Sequence, residues 1–412
     1  MNRFYFFVLF ILSLSLNLIF AAEDNRQGLD ERDIEALRDW INTKRQVTVK
    51  ERGGNLSISG EVRAELKSTN EKKGGIKQLG SGGAVRHKAS RAWDVEANLL
   101  MDYRTDRTWA AIKIKFDNNA GVETGKSDKL SLNRAVLGGR ILDGDTYNMN
   151  LEIGRRALGY SFDSKIQFGS MMDGILYQYD QAFDEIGDLY FHGGPFVIND
   201  TLDQYGYVGE FGLLNIGRTG FYSKLSAIDW ATKHTYKSRR NKAFRFLNLQ
   251  WLCGYKFTPQ PVDKVVTLYG AGLVNTLARG TTVTGGSKER WAWYAGFSVG
   301  ELRKQWDWAF DLNYQWVQTQ AIPDFDGSGV GRGNAQGIGL YSEKKMGKEG
   351  KLDKKSEVAG AGNYRGVAIE FIYLLTNNIT VYQAWRQSVP QNRNIGEKFS
   401  YKQYEIELIY AF

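Results

Sequence analysis

The chain has 412 residues and a formal net charge of +8, with 46 Gly against 5 Pro and with 22 Tyr, 22 Phe and 11 Trp. The single cysteine, Cys253, excludes an intrachain disulfide, and three scattered histidines, His87, His192 and His234, give no ligand spacing for a metal centre and no clear Ser-His dyad. The positive balance alone does not argue for nucleic acid, because bases and aromatics are not interleaved on one face.

In chain order, Arg3 precedes an apolar run from Phe4 to Phe20, then Ala21-Ala22 and the acids Glu23-Asp24. This reads as a secretory signal peptide over 1–22, removed near Ala21 or Ala22. Residues 23–50 form the next segment, expected to be periplasmic. In it Ile34, Leu37 and Ile41 recur at helical spacing, with Asp30 as cap and Asp33 in the first turn, which predicts a short helix from Asp30 to about Gln46. No later stretch approaches 18 uninterrupted apolar residues, so a membrane crossing over 51–412 requires strands.

From Leu56 the period changes to two. Leu56, Ile58, Val62, Ala64 and Leu66 alternate with Ser57, Ser59, Glu61, Arg63, Glu65 and Lys67. Ala110, Ile112, Ile114 and Phe116 alternate with Lys113, Lys115 and Asp117. Trp306, Trp308, Phe310, Leu312, Tyr314 and Trp316 stand against Asp307, Asp311, Asn313 and Gln315. A dry sandwich core cannot hold so many charges, whereas lipid outside and water inside satisfy both faces.

The joints alternate in length. Short ones fall near Thr105-Asp106, Asp143-Gly144-Asp145, Gly217-Arg218-Thr219, Glu301-Leu302 and Asn377-Asn378, and long ones at 68–90, 118–127, 231–242, 276–288, 318–362 and 389–399. That is the rhythm of periplasmic turns and external loops, and it predicts an all-β, transmembrane antiparallel β-barrel of about 16 strands. The stretch 180–215 is the weakest in pattern and is where a pair of strands is hardest to parse.

The chain stops on a strand in which Tyr404, Ile406, Leu408, Tyr410 and Phe412 alternate with Gln403, Glu405 and Glu407. By itself this also suits a half-buried last strand of a soluble sheet. It resembles the closing strand of bacterial outer-membrane β-barrels, in which a terminal aromatic is a signal for the outer-membrane assembly machinery; Tyr410 and Phe412 are the matching positions. Leu151-Glu152-Ile153-Gly154-Arg155-Arg156, followed by Met172-Asp173-Gly174-Ile175, resembles the porin pattern in which a strand ending Gly-Arg enters a loop folded into the lumen. Leu132-Asn133-Arg134 through Arg140 is similar to the preceding porin strand. Segments Asp102 to Trp109 and Tyr205 to Glu210 also look similar to porins of amoeba-associated chlamydia-like bacteria.

The resemblance implies an outer-membrane porin in contact with lipid, passing small hydrophilic solutes without a cofactor, as a homo-oligomer expected to be a trimer. It implies a pore constriction built from Arg134, Arg155, Arg156, Asp163, Lys165 and Asp173. From the alternation, Glu61, Arg63, Lys113, Lys115, Asp307 and Asp311 are expected to line the pore. Loop 68–90 carries Lys72, Lys73, Lys77, Arg86 and Lys88, and loop 231–242 carries Lys233, Lys237, Arg239, Arg240 and Lys242. A basic mouth favours anions, lumenal acids oppose this, and a mild anion preference is the expectation. The alternative is a structural or adhesive barrel using its long loops. No enzyme is expected, since His192 with Ser223 or Ser226 is the only nucleophile pairing to be drawn. Asp324 to Gly329 begins like a calcium loop, but Ala335 stands where the bidentate acid belongs, so a Gly-rich external loop is expected there.

Overall fold

The computed structural model describes residues 47–51, 54–73, 76–78, 91–118, 128–199, 204–230, 246–260, 263–280, 285–323, 326–331, 362–395 and 398–412. The signal peptide expected over 1–22 and the helix expected from Asp30 to Gln46 lie outside the described residues, as does the basic stretch 231–242. The strands are β1 Val47–Glu51, β2 Gly54–Lys73, β3 Ile76–Gln78, β4 Arg91–Arg104, β5 Thr108–Asn118, β6 Asp128–Asp143 and β7 Tyr147–Ala157. They continue as β8 Met171–Phe183, β9 Gly187–Asn199, β10 Gln204–Ile216, β11 Phe221–Asp229, β12 Leu247–Phe257 and β13 Val266–Asn275. The last five are β14 Trp291–Val299, β15 Trp308–Val317, β16 Tyr364–Leu374, β17 Ile379–Pro390 and β18 Phe399–Ala411.

Sixteen of these, β2 and β4 to β18, pair antiparallel, each with its neighbour, and β18 returns to β2 to close the barrel. Strands β1 and β3 are short additions to the two ends of β2. Thus Val47–Lys50, grouped by sequence with the N-terminal helical segment, is strand, and β2 with β3 extends into what the sequence assigns to a loop at 68–90. The difficult stretch 180–215 resolves into β8, β9 and β10 without a lost pair. Alternation weakens there because glycines interrupt it: a Cβ on Gly206 would sit 2.4 Å from the Phe196 ring, and one on Gly212 2.2 Å from the Tyr190 ring. Rings from the neighbouring strand fill the missing side-chain space.

Polarity is inverted relative to a soluble protein. Leu225 is 57% exposed and Trp251 61%, while Glu61 is 3% and Asp311 6% exposed, because charged residues face inward and pack on one another. Aromatics cluster outside at both rims, with Trp306–Tyr373 centroids 6.2 Å apart at the short-turn end and Trp293–Tyr314 5.5 Å apart at the loop end. Leu225 is central in β11 and faces outward. Leu225→Arg is therefore expected to destabilise the lipid-embedded barrel by about 2–4 kcal/mol. Refolding into bilayers at a series of urea concentrations measures this; an unchanged midpoint would mean that this face does not meet lipid.

The seam rests on the last residue. Phe412 donates its amide to the Gly60 carbonyl at 2.9 Å and accepts from the Gly60 amide at 3.0 Å. Its ring covers Gly60, where a Cβ would approach to 2.5 Å. Asn378 adds a bond from its side-chain amide to the Ala411 carbonyl at 3.0 Å, tying the turn after β16 to the same corner.

Candidate functional site: the lumen and its inward loop

Strand β7 ends in Arg155-Arg156-Ala157 after Gly154, whose φ of +136° favours glycine. A Cβ there would stand 2.0 Å from the Ala135 carbonyl oxygen, so close approach to β6 also demands glycine. The chain then forms one 3-10 turn, Leu158–Tyr160, and the Leu158 amide donates to the Ser170 carbonyl at 2.9 Å, closing the neck of loop 158–170. The loop turns inward because its apolar residues have a wall to meet. Leu158, Phe162 and Phe168 are buried against Met172, Leu176, Phe196, Val208, Ile228 and Trp230. Burying such side chains is worth about 1.5–3 kcal/mol each.

Polar groups then fix the loop across the lumen. The Asp163 amide donates to Glu210 on β10 at 3.0 Å, and its carboxylate accepts from Lys224 on β11 at 2.5 Å. Ser164 donates to Gln250 on β12 at 2.7 Å, while the Gln250 amide donates to the Asp163 carbonyl at 2.6 Å. Lys165 lies 3.6 Å from Asp311 on β15, and Gln315 donates to the Lys165 carbonyl at 3.3 Å. The loop therefore lines the wall from β8 to β15 and narrows the space on that side.

The opposite wall is charged. The register places Lys113 of β5 beside Arg134 of β6, and the pairing of Ala135 with Arg155 puts Arg156 of β7 next in the row. Arg156 pairs with Glu152, which also accepts from the Trp109 indole at 2.5 Å. Lys113 and Arg134 add two more cations to the row, giving a positive strip. Further round, Arg63 pairs with Glu61 and lies 3.8 Å from Glu96, and Lys115 reaches Glu96 at 2.6 Å. Arg386 of β17 bridges Glu405 and Glu370, the latter at 3.1 Å, and receives support from the Tyr382 hydroxyl at 2.8 Å. Glu65, Glu405 and Glu407 lie within 4.8 Å of one another, with Lys67 ion-paired to both Glu65 and Glu405.

The residues expected at the constriction divide. Asp163 and Lys165 lie on the inward loop, and Arg134 and Arg156 share the inward parity of Val136 and Glu152. Arg155 and Asp173 instead share the outward parity of Ile153 and Ile175, and they join in a bidentate pair at 2.7 Å for both bonds on the outer face. Gly154 hides this in the sequence, since strand and loop are hard to separate at a glycine. Glu61, Arg63, Lys113, Lys115 and Asp311 lie at inward parity. Asp307 serves the turn before β15, accepting from the Arg303 and Lys304 amides at 2.9 and 2.8 Å and from Lys264 at 3.1 Å. Burial opposes its charge, yet these donors outweigh that and hold its carboxyl below the ordinary range.

Sequence reasoning missed Lys224 and Gln250, whose partners lie far along the chain, and Arg386, whose partners lie on its own and the two neighbouring strands; it placed Gln315 on the polar face without its contact to the loop. It also placed Asp324 to Gly329 in an external loop, whereas Asp326 is fully buried inside the barrel. Ser223 faces outward and accepts from the Trp251 indole at 2.9 Å, whereas His192 faces inward toward Asp180 at 3.3 Å, so those two are on opposite faces.

No family model and no curated protein matches the chain. Among solved structures, Pseudomonas putida OprB at high pH aligns over 87% of this chain and 94% of that one, at 8% identity and a TM-score of 0.50. The chain shares that structure's fold, a closed antiparallel β-barrel. The outer membrane channel DcaP of Acinetobacter baumannii also aligns, over 88% of this chain and 99% of that one, at 11% identity and a TM-score of 0.48. Salmonella typhi OmpF, in a complex with daunomycin, aligns over 89% and 100%, at 10% identity and 0.48. At these identities the porin-type likeness concerns the fold alone.

Proposed function

We propose that this protein is an outer-membrane diffusion channel for small hydrophilic solutes and ions, with a mild anion preference. The observation that carries the reading is the inward loop: loop 158–170 is fixed along the β8–β15 wall, opposite a wall of lumenal charges on β2, β4–β7, β17 and β18. A closed barrel with a polar interior and a narrowed waist is what passive diffusion needs. Arg134, Arg156, Asp163 and Lys165 form the constriction in this reading, and Arg155 with Asp173 stands outside it. Export by a signal peptide over 1–22, assembly through the Tyr410 and Phe412 signal, and a trimeric state belong to the same proposal. The narrower resemblance to porins of chlamydia-like bacteria rests on the segments 102–109 and 205–210 alone.

The adhesive alternative needs loop 318–362 outside the barrel, and its first part, from Thr319 to Val330, contributes buried residues to the interior. The anion preference follows from the strip of Lys113, Arg134 and Arg156, because most lumenal acids on the far wall already have Arg63, Lys67 or Arg386 beside them. In planar bilayers under a salt gradient, the native protein should conduct with a reversal potential of the anion sign. The double variant K113E/R134E should reverse that sign. Steady current with a clear cation preference in the native protein would sink the selectivity claim, and insertion without current would sink the channel.

A further inference from the structure

A second loop holds the first. After β15 the described residues turn into the barrel: Thr319, Gln320, Ala321, Ile322 and Val330 are all at most 3% exposed, and Asp326 is fully buried. Asp326 faces the returning limb of loop 158–170 and accepts three of its amides. Its carboxylate takes the Phe168 amide and the Ser170 amide, each at 3.2 Å, and its carbonyl takes the Gly169 amide at 2.9 Å. Ser328 adds two more bonds, from its amide to the Ile166 carbonyl at 3.1 Å and from its hydroxyl to the Gln167 carbonyl at 2.8 Å.

The second loop is itself tied to the wall. Gln315 of β15 accepts from the Val330 amide at 2.9 Å and from the Tyr364 hydroxyl at 3.1 Å, and Ser388 of β17 donates to the Val330 carbonyl at 3.3 Å. Phe168 sits at φ +71°, a left-handed conformation rare for a bulky residue, and such a conformation persists only where neighbours over-determine it. The three amides bound by Asp326 are those of that residue and of the two that follow it.

We infer that Asp326 is a positioning residue that latches the constriction loop to loop 319–330, so that the width of the passage is set by both loops. A buried carboxylate receiving two amides is a strong, directional anchor, and its removal leaves those amides without their acceptor. The inference rests on the channel reading for its consequence on flow, but its structural part stands apart from it.

The test uses the full-length barrel in detergent and in bilayers, with D326A and D326N. Hydrogen exchange of the 158–170 peptides should quicken by about tenfold in D326A and by less in D326N, which keeps one acceptor, while the peptides of β12 stay unchanged. Single-channel conductance should rise by about 1.5-fold or more in D326A. Should D326A fail to fold, D326N carries the same two measurements. Unchanged exchange in the loop overturns the latch, as does faster exchange with native conductance for its role in pore width. Faster exchange in a barrel that never conducts, the native one included, overturns the channel reading and leaves the latch standing.

Discussion

A chain lacking Phe412 is expected to be exported normally yet to yield little closed barrel. Phe412 supplies both backbone bonds to Gly60 at the foot of the β18–β2 seam, and its ring covers the only side-chain space that Gly60 leaves. Two backbone bonds at about 1 kcal/mol each and an aromatic contact of about 1 kcal/mol total roughly 3 kcal/mol, concentrated where the sheet must join itself. An unjoined edge also exposes a row of unpaired amides and carbonyls, which has no solution in lipid. Phe412→Ala keeps the backbone bonds and should show an intermediate loss, and Phe412→Tyr should behave as native. The readout is the fraction of membrane-associated protein that shifts in gel mobility on heating. A truncated chain with the native fraction would mean that the seam does not depend on its last residue.

The second large effect is expected at Arg386. Its guanidinium stands between Glu370 and Glu405, and Glu405 belongs to the group of three carboxylates with Glu65 and Glu407. Arg386→Ala leaves Glu65 and Glu405 with Lys67, and Glu370 with Lys165, as the nearby cations. Breaking a buried pair in this way costs about 3–5 kcal/mol. The Arg386 side chain is 25% exposed, and water in the lumen screens it, so the lower end, about 3 kcal/mol, is expected. Urea unfolding followed by tryptophan fluorescence measures the loss. Adding E370Q and E405Q to R386A should recover most of it, because removing charge from both sides leaves nothing uncompensated. An R386A midpoint equal to that of the native protein would show that the acids relax into water without help.

The legibility of the fold in the sequence was uneven for definite reasons. Strand β4, Arg91–Arg104, is legible because Trp93, Val95, Ala97 and Leu99 alternate with Asp94, Glu96 and Asn98 without a break. Strands β8 to β10 were harder, because Gly206 and Gly212 remove the side chains that would mark a face, and the rings that replace them come from another strand. At the site, the charge pattern singled out Asp163 and Lys165, and both lie on the loop that turns inward. It could not tell Arg155 from Arg156, since adjacent residues at a strand end point to opposite faces and only pairing with β6 and β8 fixes which is which.

The sequence by itself determined an inside-out barrel of about sixteen strands, because the period of two, the alternation of turn and loop lengths and the aromatic strand at Tyr404 to Phe412 are local properties. Only the tertiary structure decided what fills the lumen. Asp326 meets Phe168 across 158 positions of sequence, Gln315 meets Lys165 across 150, and Lys224 meets Asp163 across 61. Such pairs leave no periodic trace, because each depends on where closure of the barrel brings the inward loop against a distant part of the chain.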